Sequence, residues 1–147
     1  MALSRQASGK HAELMVASEL IGLGLEVFFP FVDASGTDLL VRVERGGKSN
    51  HYDIQVKSVK GYNLPIGLQR KKVESKGSEF ILVLVFLHKG KKDEFYYLTR
   101  DQLLEFLPPN AEWGDIPFGK NEREKFKEQN LEDLAQMLTA GEAWTTH

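Results

Sequence analysis

Eight consecutive apolar residues, Phe80 to Leu87, constrain this chain more than any other segment. The run is rich in β-branched and aromatic side chains, which favour a strand. No position in it suits water, so the strand must be covered on both faces. It is also far too short to cross a bilayer, which takes about 20 apolar residues. A chain of 147 residues is one ordinary domain with room for such a core, 1–147.

Other elements fall on either side of that strand. Ala12, Val16, Leu20 and Leu23 recur at helical spacing, which predicts a helix from about Ser8 to Leu23 closed by Gly24. Leu25 to Phe31 reads as a strand that Pro30 confines to an edge or an end. Asp38–Arg45 and His51–Val59 alternate, and Gly46-Gly47-Lys48-Ser49 between them signals a hairpin. Leu68–Lys76 suits a basic helix and equally a mobile loop within 60–79. After a Gly/Lys turn comes Glu94–Leu98, then a capping box, Thr99 with Gln102, opening a helix to Phe106. A Pro-rich connection, in which Trp113 reads as a plug anchoring the loop rather than as a base-stacking residue, leads to one or two helices between Asn121 and Thr139. The order α-β-β-β-(α)-β-β-α-α makes a mixed α/β domain.

The hairpin has a readable face. With the turn centred on Gly47 and Lys48, Leu39 faces Val56, Val41 faces Ile54 and Val43 faces Tyr52, all apolar. Asp38 then faces Lys57, Leu40 faces Gln55 and Arg42 faces Asp53. A one-residue slip would mix the two sets, so burial selects this register or one of the same parity. Residues two apart on a strand lie roughly 7 Å apart and strands about 4.8 Å apart, so Asp38, Gln55 and Lys57 converge. Carboxylate and amide oxygens suit a magnesium-like ion, and a lysine beside them can orient water or offset phosphate charge. The same pattern also suits an exposed cross-strand Asp–Lys pair, worth less than about 1 kcal/mol.

Charge is unevenly distributed. Residues 42–92 carry 12 Lys/Arg against 4 Asp/Glu, whereas both flanks are acidic and the whole chain has a net charge of −2. A basic middle suits a polyanion-binding face, and equally a set of solvated loops. Gln69, Arg70, Lys71, Lys72 and Lys76, with Lys60 before them, follow the hairpin, which suits contact with a polyanion backbone and equally a solvated loop. The chain has no cysteine, which excludes disulfides and Cys-type zinc sites and fits a reducing compartment. Residues 1–7 lack the apolar core of a signal peptide, so a soluble, cytoplasmic protein with no membrane partner is expected. The four histidines show no metal-ligand spacing, Ser58 and Ser75 have no nucleophile elbow, and Gly46-Gly47 opens no helix that would cradle phosphate.

The runs Gly9-Lys10-His11-Ala12-Glu13, Gly24-Leu25-Glu26-Val27, Gly36-Thr37-Asp38-Leu39-Leu40-Val41 and Ile54-Gln55-Val56-Lys57 together resemble the PD-(D/E)XK nuclease superfamily. The likeness is to its small members, akin to archaeal Holliday-junction resolvases and to homing endonucleases. It spans about 8–98, with 99–140 as a helical extension. The resemblance implies a restriction-endonuclease-like αβββαβ core, with a mixed central sheet flanked by helices. It implies a magnesium or manganese ion held by Asp38, Gln55, the Val56 carbonyl and Glu13, with Lys57 acting in catalysis. The implied activity is metal-dependent hydrolysis of phosphodiester bonds in duplex or branched DNA, and a homodimer is compatible with it. Helical spacing separately places Glu13 on the apolar face with Val16, Ala17 and Leu20. Two features depart from the motif: no proline adjoins Asp38, and glutamine occupies the acidic position of the third strand. A neutral amide ligates more weakly than a carboxylate. A silent nucleic-acid-binding module on this fold, or an interaction protein without a nucleic-acid role, therefore stands beside the nuclease reading.

Overall fold

A computed structural model of the chain describes residues 4–31, 36–59 and 66–140. Lys60 lies outside them. All seven residues of the apolar strand, Phe80–Phe86, are buried, and they divide by alternation between two cores. Ile81, Val83 and Val85 enter the first, whereas Phe80, Leu82, Leu84 and Phe86 enter the second. Both faces of the sheet are covered, as the uninterrupted run demands. Each fully buried side chain of this size contributes about 1.5–3 kcal/mol through removal from water.

In chain order the elements are α1 (Arg5–Gly22), β1 (Glu26–Phe28), β2 (Leu39–Arg45), β3 (Lys48–Val59), β4 (Ile66–Gln69), α2 (Arg70–Glu74), β5 (Phe80–Phe86), β6 (Glu94–Thr99), α3 (Arg100–Glu105), β7 (Trp113–Ile116), α4 (Lys120–Lys125) and α5 (Leu131–Ala140). The main sheet runs β1-β2-β3-β5-β6. Only β3 and β5 pair in parallel, so the sheet is mixed as expected. α1 covers one face with Ala12, Val16, Ala17 and Leu20. α5 joins it there through Leu131, Leu134, Ala135 and Leu138, so the last helix belongs to the same core. The other face carries α3, Phe118, Phe126 and a second sheet, β4-β7. No helix among the described residues is long and apolar enough to cross a membrane.

Local chemistry sets the element ends. Ser4 caps α1 by accepting from the Ala7 N–H at 3.1 Å, which starts the helix at Arg5, ahead of Ser8. Thr99 and Gln102 form the expected capping box at the head of α3. The hairpin keeps the expected parity but not the expected register. Leu39 pairs with Ile54, Val41 with Tyr52 and Val43 with Asn50, two residues away from the register centred on Gly47 and Lys48. The reason is the turn. Gly46 and Gly47 take φ of +57° and +78°, as a two-residue primed turn requires, whereas centring on Lys48 would force a lysine into that region.

Two further differences lie on the second face. The segment around Leu68 is divided: Ile66–Gln69 forms β4 and a single short helix, α2, follows. The Pro-rich connection hides β7, which pairs with β4 through Ile66↔Ile116 and Gln69↔Trp113.

Candidate active site

The β2–β3 ladder ends at Leu39↔Ile54, whereas β3 continues to Val59. Asp38 fills the notch this leaves. Its N–H donates to the Ile54 carbonyl at 2.9 Å, and its Oδ2 accepts from the Val56 N–H at 2.8 Å. The N–H and C=O of one strand residue point to the same edge. The Val56 carbonyl therefore projects beside the Asp38 carboxylate.

Gln55 and Lys57 pair with Leu82 and Leu84 of β5 and share the second face. Both line a cleft of about 500 Å³ together with Gly36, Gln69, Lys72, Lys76 and Trp113. Burial pushes the Lys57 ammonium below its ordinary pKa; the nearby Lys72 lowers it further, and Asp38 pulls the other way. Lys57 thus feels both the acidic notch and the basic rim.

Glu13 and Asp38 line a second, smaller cleft of about 390 Å³, with Lys10, Phe29 and Thr37. The Glu13 side chain is 21% exposed and pairs with Lys10 at 3.3 Å, so it flanks the apolar stripe of α1. The Lys10 ammonium also lies 5.2 Å from the Phe29 ring centre. The residues expected to converge are instead divided between the two clefts. Glu13 and Asp38 face one, Gln55 and Lys57 the other.

The basic segment does not act as a unit. Lys72 and Lys76 line the larger cleft, and the Lys76 ammonium lies 5.3 Å from the Phe80 ring centre. Lys71 is exposed outside the cleft lining. Arg70 is turned into the fold: its guanidinium donates to the carbonyls of Ala111 at 2.7 Å and Pro108 at 2.8 Å and pairs with Glu74. The Arg70 backbone N–H donates to the Glu112 carbonyl at 2.9 Å. This arginine anchors the loop before β7. Trp113 is no plug: it is 69% exposed at the mouth of the larger cleft, because alternation along β7 sends Ile116 inward and Trp113 outward. The β7 signal was too short to find from a four-residue strand holding a glycine.

Among the described residues no three His, Cys, Asp or Glu side chains gather as a metal site. The oxygen donors are the Asp38 carboxylate and the Val56 carbonyl at the notch, the Gln55 amide in the larger cleft and the Glu13 carboxylate in the smaller one. These are hard oxygens, the set a magnesium-sized ion takes, so the residues fit such an ion while bringing only two formal negative charges.

A five-stranded mixed sheet with helices on both sides is a restriction-endonuclease-like fold. Two solved structures share it. One is Archaeoglobus fulgidus Hjc, a Holliday junction resolvase from an archaeal hyperthermophile, with TM-score 0.54 and 15% identity over 88% of this chain and 96% of that one. The other is the bacterial homing endonuclease I-Ssp6803I, with TM-score 0.63 and 18% identity over 99% of this chain and 100% of that one. No protein-family model matches the sequence, and no curated protein matches it significantly. At such identities the shared property is the fold.

Proposed function

We propose that this protein is a divalent-metal-dependent DNA endonuclease that hydrolyses phosphodiester bonds. The observation that carries the reading is the notch. Asp38 bonds there to the Val56 N–H, and the residues flanking Val56 on the same strand, Gln55 and Lys57, line a cationic cleft. The two structural neighbours, a junction resolvase and a homing endonuclease, support DNA as the substrate.

Asp38, Gln55, the Val56 carbonyl and Glu13 would hold a magnesium or manganese ion. Such an ion, when bound, lowers the pKa of water and neutralises charge on the phosphate. Asp38 is held in place by the Val56 N–H, so its carboxylate is oriented before substrate arrives. Lys57 orients the attacking water and donates toward the charge that grows on the non-bridging oxygens. Lys72 and Lys76 bind flanking phosphates, and Lys71 extends that contact along the backbone. Cutting both strands calls for two such sites, so the active form would be a homodimer.

Gln55 gives a second reading some support: with a neutral amide in the acidic position, the same face would bind DNA without cutting it. A cleavage assay on linear, nicked and branched DNA with Mg²⁺ or Mn²⁺ separates the two. Metal-dependent cleavage that Lys57→Ala lowers by about 10²–10⁴-fold, with DNA affinity little changed, is the expected result. Tight, salt-dependent binding without cleavage under any metal would leave the silent module.

A further inference from the structure

Trp113 is exposed where it lines the larger cleft, yet its backbone is firmly held. It pairs with Gln69 in the β4–β7 ribbon, and Arg70 fixes the loop before it through the Ala111 and Pro108 carbonyls. Gly114 beside it lets Leu107 close in from below: a Cβ there would meet Leu107 Cδ2 at 2.6 Å and push that side chain aside. A fixed backbone presenting an exposed indole is a platform rather than a frayed loop.

The platform stands at the mouth of the larger cleft, whose cationic lining is Lys57, Lys72 and Lys76. The cleft's volume of about 500 Å³ lies in the range that encloses a small organic group. Asp115, two residues along β7 and on the same outer face as Trp113, is exposed and disfavours phosphate beside the indole. Lys72 and Lys76 in the cleft lining favour phosphate. One chemistry satisfies both: a nucleotide with its phosphate toward the lysines and the face of its base toward the indole. In an unbroken duplex the base faces are covered by their neighbours and cannot reach a tryptophan.

We propose that Trp113 stacks on an unpaired base of a DNA strand whose phosphate lies over Lys72 and Lys76. The protein thereby selects DNA with a single-stranded or extrahelical nucleotide beside the cleft. This rests on the DNA reading above and names the form of DNA. It makes Trp113 a specificity residue and Arg70 the residue that positions it.

The test uses two fluorescent duplexes of one sequence, the first fully paired and the second with a short unpaired stretch. Binding is measured without divalent metal for the wild type, Trp113→Ala and Trp113→Phe. Loss of base–aromatic stacking should weaken binding of the unpaired form by roughly 5- to 150-fold in Trp113→Ala. The paired duplex should change little, and Trp113→Phe should keep most of the affinity. Because Trp113 is exposed, the urea midpoint should stay near that of the wild type. Trp113→Ala that binds the unpaired form as well as the wild type does, or that loses equally on both DNAs, overturns the stacking while the DNA reading stands. A wild type that binds neither DNA overturns both together.

Discussion

Asp38 has two roles that a pair of substitutions can separate. Its carboxylate accepts from the Val56 N–H at 2.8 Å in a part-buried setting, and it also carries the charge that a divalent ion would require. A hydrogen bond to a charged group contributes about 1.5–3 kcal/mol, and a buried donor left without a partner costs a similar amount. Asp38→Ala removes the acceptor, so it should destabilise the fold by about 1.5–3 kcal/mol. That lowers the melting temperature by roughly 3–12 °C for a domain of this size. Asp38→Asn keeps an amide oxygen for the Val56 N–H, so it should lose only a neutral-for-charged difference, about 1 kcal/mol. Both should abolish divalent-ion binding by calorimetry and metal-dependent cleavage alike. Asp38 also opposes the other influences on Lys57, so either variant should drive the Lys57 pKa further below its ordinary value, which nitrogen-15 NMR of the ammonium reads directly. Equal melting points for the two variants would refute the anchoring argument. Retained metal binding in Asp38→Asn would refute the site.

Gln55→Glu adds a carboxylate to the site and should tighten Mg²⁺ binding by roughly tenfold or more, measured by calorimetry. Arg70→Ala should cost about 2–4 kcal/mol in urea unfolding, because two carbonyls lose a charged donor, while leaving the salt dependence of DNA binding unchanged. The triple variant of Lys71, Lys72 and Lys76 to alanine should do the reverse, flattening the log–log salt slope by about 2–3 units with stability kept. Burial first and the Glu79 carboxylate second raise the Asp53 carboxyl above its ordinary 3.8, against Lys76 and His51. A carboxyl raised in the fold costs stability once ionised, so Asp53→Asn should melt higher than the wild type at pH 7. That advantage should shrink as pH falls through the raised value and vanish below 3.8, and a constant advantage across the range would contradict it.

The strands with a strong pattern were legible. Phe80–Phe86 was readable because nothing interrupts it, and the parity of the hairpin because a period of two cannot be slipped by one residue. The register was not, since a shift of two preserves every face, and only the demand for positive φ at both turn positions settles it on Gly46-Gly47. β4 and β7 escaped notice because each has four residues, and Gly67 and Gly114 thin the alternation. The basic run misled for a geometric reason. On a helix each residue turns by about 100°, so neighbours that look alike in sequence face different ways. Arg70 reaches the Pro108–Ala111 loop while Lys72 faces the cleft. Helical spacing placed Glu13 on the apolar side, and its side chain settles at the flank, against Lys10.

Asp38 also guards the sheet against its own kind. Beyond Ile54, no strand among the described residues pairs with β3 on the β2 side, and its amide groups there form the sort of open edge to which a strand of another chain can add. A negative charge on the first of those N–H groups makes that edge hostile to addition, because an incoming carbonyl finds the donor taken and meets a carboxylate in its path. Taking the carboxylate away would therefore leave a sticky edge as well as an impaired site. The cost would appear as concentration-dependent association during refolding, a phenomenon separate from anything measured on the folded protein.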